Sequence, residues 1–135
     1  MVKTLSAPTI EDLKNLPTLV APDGLLVKEV GTVTSSSIAQ FILPPNFVGR
    51  AIQHQSITET WFMTKGLKAE VWIATLFQGK PQVVEVDTYF TIPPQTHFQV
   101  RNPSDEEAVF LAVTTPPYPG DQEVEMISGF WETSR

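Results

Sequence analysis

Apolar and polar residues alternate in short runs along most of the chain, and each run ends at a proline, a glycine or a small polar cluster. Residues 25–30, 37–43, 48–55, 59–65, 67–77, 82–90, 98–102 and 108–114 each have the length and the β-branched or aromatic content of a strand. The separators are turn chemistry: Gly31 with Ser35-Ser36-Ser37, Pro44-Pro45-Asn46, Gly66, Gln78-Gly79-Lys80-Pro81, Pro93-Pro94 and Asn102-Pro103-Ser104-Asp105. This rhythm predicts an all-β domain, a sandwich or barrel. Helical spacing occurs once, at Ile10, Leu13 and Leu16, with Thr9 as the cap and Pro17 as the stop, predicting one short N-terminal helix over 9–16. The tail carries Met126, Ile127, Phe130 and Trp131, apolar residues expected to dock on the domain or on a second subunit.

Length and charge narrow the picture. At 135 residues the chain suits one domain, read as an N-terminal arm over 1–23, a core over 37–115 and a C-terminal arm over 116–135. A net charge of -6 with only nine scattered Lys and Arg excludes a nucleic-acid partner and a self-contained transcription factor. Cysteine is absent, which removes disulfides and thiolate chemistry. The first residues lack the apolar run of a signal peptide, and no segment is long enough to span a bilayer, so the expectation is a cytoplasmic protein without a membrane partner.

Two polar clusters, residues 53–66 and 92–102, contain both histidines of the chain, His54 and His97. In the first, Glu59 is followed after six residues by Gly66; in the second, Pro93, His97 and Asn102 stand in a ten-residue frame. These spacings resemble the two motifs of the cupin superfamily, and the resemblance covers residues 37–115. It implies a cupin-like double-stranded β-helix, a jelly roll whose interior holds a metal or a small molecule. Cupin metals are held by three histidines and a glutamate. In that frame His54 falls on the second histidine and Ile52 on the first, or Gln53 and Gln55 on both if the gap is one residue shorter. Phe98 stands at the third histidine, His97 sits one position early, and Gln95 replaces a glycine. At best His54 and Glu59 are in register, so no cofactor is expected. A divalent metal, if held, would need the non-standard set His54, Glu59, Gln53 and His97.

Strand alternation assigns faces. Phe98, Val100 and Asn102 share the apolar, interior face, which turns His97, Gln99 and Arg101 away. Arg50, Ile52 and His54 form one row and Glu59, Trp61 and Met63 another, and in the cupin frame both rows line one pocket. His54 and Glu59, expected side by side on neighbouring strands, are the candidate catalytic pair, since a carboxylate beside an imidazole fixes its tautomer and raises its pKa. The bland alternative is a satisfied polar pair. Gln40, Arg50, Ile52, Trp61, Met63 and Phe98 are the candidate substrate contacts, with Trp72 a further candidate for the apolar wall; for the aromatics and Met63 the alternative is core packing, and for Arg50 a rim position paired with an acid. The resulting expectation is an acid–base lyase or isomerase acting on a small organic metabolite without the usual metal tetrad, with His54 transferring a proton and Glu59 orienting it. The alternatives are a metal-dependent oxygenase or isomerase and a non-catalytic metabolite-binding or sensing protein. A homodimer is expected, with the terminal segments covering or swapping onto the partner sheet.

Overall fold

The computed structural model describes residues 3–134. Eleven strands follow in chain order: β1 (Leu19–Val20), β2 (Leu26–Thr32), β3 (Ser37–Leu43), β4 (Ile52–His54), β5 (Thr58–Lys65), β6 (Ala69–Ile73), β7 (Gln82–Val84), β8 (Tyr89–Ile92), β9 (Phe98–Arg101), β10 (Ala108–Thr115) and β11 (Val124–Met126). They form two antiparallel sheets, six strands in the order β1-β2-β3-β10-β5-β8 and five in the order β11-β4-β9-β6-β7. Face-to-face packing of the two gives the jelly-roll core predicted from the alternating pattern. Trp61, Met63, Phe90 and Phe110 fill it from the first sheet, and Ile52, Val71, Ile73, Phe98 and Val100 from the second.

Several sequence expectations are corrected. The N-terminal helix is a single 3-10 turn, Leu13–Asn15, capped by Asp12, whose side chain accepts from Lys14 N; Thr9 caps nothing. Ile10 is 100% exposed and Leu13 and Leu16 are only partly buried, so the apolar stripe packs too little surface to hold so short a helix. The run over 48–55 is regular only at Ile52–His54, and the run over 67–77 ends at Ile73. The run over 82–90 is two strands in different sheets, parted by a turn in which Asp87 takes a left-handed conformation at φ 75, a position Asp tolerates.

Two residues of the cupin-like motifs prove structural. Gly66 sits at φ 118, and a Cβ there would lie 2.9 Å from the Glu107 carbonyl oxygen, so no side chain fits. Asn102 is buried; its amide donates to the carbonyls of Leu43, Pro44 and Glu106 while its oxygen accepts from Ser104 N and Oγ, tying two loops together. The tail docks on its own domain. β11 pairs with β4, and the backbone NH groups of Phe130 and Trp131 donate to Gln99 Oε1 on the outer face of the five-stranded sheet. Arg101 lies 4.5 Å above the Trp131 ring. Gln99, expected outside, is thereby buried.

Candidate functional site

Three rows of inward side chains run across the six-stranded sheet. Register places Phe41, Phe110 and Met63 in one row, Ala39, Ala112, Trp61 and Phe90 in the next, and Ser37, Thr114 and Glu59 in the third. The first two rows carry most of the bulk: Trp61 stacks on Phe41 at 4.7 Å and meets Phe90, Phe98 and Phe110. The third, apart from Ile92 beside Glu59, is polar, with the hydroxyls of Ser37 and Thr114 hydrogen-bonded to each other. Side chains that short cannot span the gap between two sheets. At that end the sandwich holds a cavity of about 280 Å³. Its rim comes from both arms: Leu19 to Asp23 on one side, Tyr118 and Asp121 on the other.

His54 and Glu59 meet at this cavity. They lie on opposite sheets, not on neighbouring strands as the sequence suggested, because the turn after His54 carries the chain from the five-stranded sheet to the six-stranded one. Glu123 holds that turn, accepting from Ser56 N at 2.6 Å, Ser56 Oγ at 2.6 Å and Ile57 N at 3.0 Å. Burial works to raise the Glu123 pKa, but these bonds and the charge of His54 hold it below the ordinary glutamate value. Both members of the pair are only 3% exposed. His54 Nε2 is 2.8 Å from Glu59 Oε1, which also accepts from Trp61 Nε1 at 3.2 Å. Burial works to lower the His54 pKa, yet the bond to Glu59 and the charges of Glu59, Glu123 and Asp23 hold it above its ordinary value. The imidazolium form is therefore held to higher pH than in a free imidazole.

The free atoms of the pair differ. His54 Nδ1 is sealed inside the protein and makes no hydrogen bond among the described residues. Glu59 Oε2 also makes none but is not sealed, so it is the pair's oxygen open to the cavity. Phe98 packs 5.9 Å from the imidazole, and Tyr118 meets it edge-on at 6.5 Å.

A third acid completes the site. Asp23 lies in the turn between β1 and β2, closed by Gly24 N donating to the Ala21 carbonyl. Its Oδ1 accepts from Leu25 N at 3.2 Å. Oδ2 accepts from no other described residue, and Asp23 lines the cavity. Burial, with a smaller push from Glu59, raises the Asp23 pKa from 3.8 to about 6. Tyr118, half-buried, donates to Asp121 Oδ1 at 3.1 Å, and burial together with that carboxylate pushes its phenol well above the usual range.

A cupin-domain family model matches residues 39–114. The chain is a cupin. Among solved structures, this cupin resembles a double-stranded β-helix protein of Klebsiella pneumoniae at 15% identity and TM-score 0.70, covering 90% of this chain and 99% of the other. It also resembles Pac13, a nucleoside dehydratase of Streptomyces, at 10% identity and TM-score 0.71, covering 96% and 100%. A third likeness is to a cupin 2 conserved barrel protein of Salinispora arenicola, at 22% identity and TM-score 0.64, covering 82% and 90%. Identities this low show the shared fold alone. No curated protein sequence matches the chain.

The cupin frame brings some expected site residues together and separates others. His54, Glu59 and Ile52 line the cavity. Trp61, Met63 and Phe98 are buried in the core behind it. Gln40 is on the opposite row from Ala39 and Phe41 and does not line the cavity, because both rows of β3 are apolar and offered no alternation to choose by. Arg50 is exposed, reaching the Pro22 carbonyl at 3.2 Å from outside, since the strand becomes regular only at Ile52. Trp72 packs on Phe130 beneath the tail.

The conditional metal set does not converge. Gln53 alternates to the other face of β4 and pairs there with Glu125, and His97 precedes β9 and does not line the cavity. The third histidine position is the Phe98 ring, which offers no donor. Among the described residues no three His, Cys, Asp or Glu side chains stand in ion-holding geometry. The donors present therefore do not fit the cupin metal tetrad. Sequence reasoning missed Asp23, Ser37, Thr114, Tyr118 and Asp121. For Asp23 the tight Pro22-Asp23-Gly24 turn was the one local signal; for Tyr118, within a proline-rich connection, there was none.

Proposed function

We propose that this cupin is an acid–base lyase or isomerase acting on a small organic molecule in the cavity, without the family's metal tetrad. The observation that carries the reading is the buried His54–Glu59 pair bridging the two sheets, with one carboxylate oxygen open to the cavity. Glu59 Oε2 is the atom that exchanges a proton with substrate. His54 acts through Glu59: its Nε2–H holds Oε1, fixes the carboxylate and balances its charge, so the sequence-based assignment of the direct transfer to His54 gives way to a positioning role. Asp23 supplies a second carboxyl at the same cavity, suited to protonating a leaving oxygen or a neighbouring carbon. Pac13, a cupin-fold dehydratase solved in variants with uridine, supports the general reading that this fold houses such chemistry.

Solvent exchange tests the proposal across a range of candidate substrates at once. A panel of β-hydroxy carbonyl compounds and ketones is incubated with the protein in D2O, and proton exchange or loss of water is followed by NMR. Glu59→Gln is expected to slow the reaction of an active compound by about 10²–10⁴-fold. His54→Gln, which keeps a hydrogen-bond donor but not the titrating charge, should change the pH dependence of the rate. Turnover unaffected by either substitution overturns the assignment, and tight retention of an unchanged compound would favour the binding-protein alternative.

A further inference from the structure

The charge around the cavity is one-sided. Asp23, Glu29, Glu59 and Asp121 line it, and His54 is its one basic side chain, already bonded to Glu59. No lysine or arginine is among the described lining residues. Two of the four acids are buried, Asp23 and Glu59. No other described residue donates to Asp23 Oδ2 or to Glu59 Oε2, so both oxygens are left to whatever enters the cavity.

We propose that the cavity takes an organic cation, a small molecule carrying a protonated amine that is seated between the carboxylates of Asp23 and Glu59. An ammonium group brings several N–H donors and the opposite charge to the two oxygens that lack both. The rings of Phe41 and Tyr118, both lining the cavity, offer apolar surface to the rest of the molecule. An anion meets four acids against the one imidazole, and a neutral molecule brings no charge to offset them. The volume of about 280 Å³ admits one ring system with a short side arm. The proposal depends on the functional reading above for the choice of cavity only, not for the proton transfer.

Three probes of one shape and different charge test it: tryptamine, tryptophol and indole-3-propionate, titrated against the intact protein by NMR and calorimetry. Tryptamine is expected to bind at least about tenfold more tightly than tryptophol, with no measurable binding of the propionate. Asp23→Asn keeps the acceptor for Leu25 N and should cut tryptamine affinity by about tenfold while leaving tryptophol unchanged. Glu29→Gln, at the half-buried edge of the site, should cost tryptamine about two- to threefold through weaker, more screened attraction. Comparing the three probes on the unsubstituted protein needs no variant to fold. Equal affinities, tighter binding of tryptophol or of the propionate, or no binding of tryptamine overturns the proposal. Because no turnover is read, such a failure is separable from failure of the exchange experiment.

Discussion

The two ends of the sandwich interior use the same strands and opposite chemistry. At one end Phe41, Trp61, Met63, Phe90 and Phe110 interlock. At the other, four residues along from Phe41 on β3, Phe110 on β10 and Met63 on β5, stand Ser37, Thr114 and Glu59, and the gap that opens is the cavity. The packed end lets the open end exist, because a cavity lined with unpaired carboxylates contributes little to holding two sheets together. Trp61 stands at the boundary, its rings in the core and its Nε1 on Glu59.

Removing that boundary has the largest expected effect. Trp61→Ala deletes the stack on Phe41 and the contacts with Phe90, Phe98 and Phe110, and should cost about 4 kcal/mol of stability in denaturant titration. The loss should extend to the site, because Glu59 Oε1 keeps only its bond to His54. A loss below about 1 kcal/mol, which suits a partly exposed surface group, would refute the division into a packed and an open end.

The second effect has the opposite sign and comes from the open end. Asp23 has its pKa raised from 3.8 to about 6, so the folded protein holds its proton more tightly than the unfolded chain does. Well below 3.8, at about pH 3, both states are largely protonated and the penalty is absent; it grows as pH rises through the window from 3.8 to about 6, and above that it is complete. Asp23→Asn removes the charge and keeps the acceptor, so it should stabilise the protein by up to about 3 kcal/mol at pH 8 and by almost nothing at about pH 3. Denaturant titrations at the two pH values check it. A gain that is the same at both would mean that burial of the charge is not what Asp23 contributes.

The sequence disclosed these two ends unequally. The packed end was legible because alternation names its residues: Trp61 and Met63 on one row, Phe98 and Val100 on another, with turn residues marking the strand ends. β3 runs over Ser37–Leu43 as its pattern required. The pair at the open end was legible through the cupin spacing, which picked out His54 and Glu59. The rest was not, for two physical reasons. Asp23 reaches the cavity only because β1 pairs with β2 and β2 with β3, and long-range pairing leaves no mark beside Asp23 in the chain. Tyr118 and Asp121 lie in an irregular connection, where no period assigns a face. The same limit misplaced Gln40, on a strand apolar on both rows, and hid the burial of Gln99, which depends on a tail docking from about thirty residues away.

The smallest effect gives the sharpest contrast, since it asks the same substitution at two paired positions. Ala39 and Ala112 are register partners on β3 and β10, but Ala39 lines the cavity while Ala112 is enclosed in the core. Adding a leucine side chain at Ala112 must displace packed neighbours, and Ala112→Leu should cost about 1–3 kcal/mol. Ala39→Leu extends into existing space, so its cost should stay below about 0.5 kcal/mol, the burial of new apolar surface offsetting the lost freedom of the side chain. The same leucine would occupy room that a ligand needs, so Ala39→Leu should weaken tryptamine binding while the fold holds. If the two substitutions cost the same, the interior has no open end in solution, and the carboxylates of Asp23 and Glu59 face packed protein instead of a binding site.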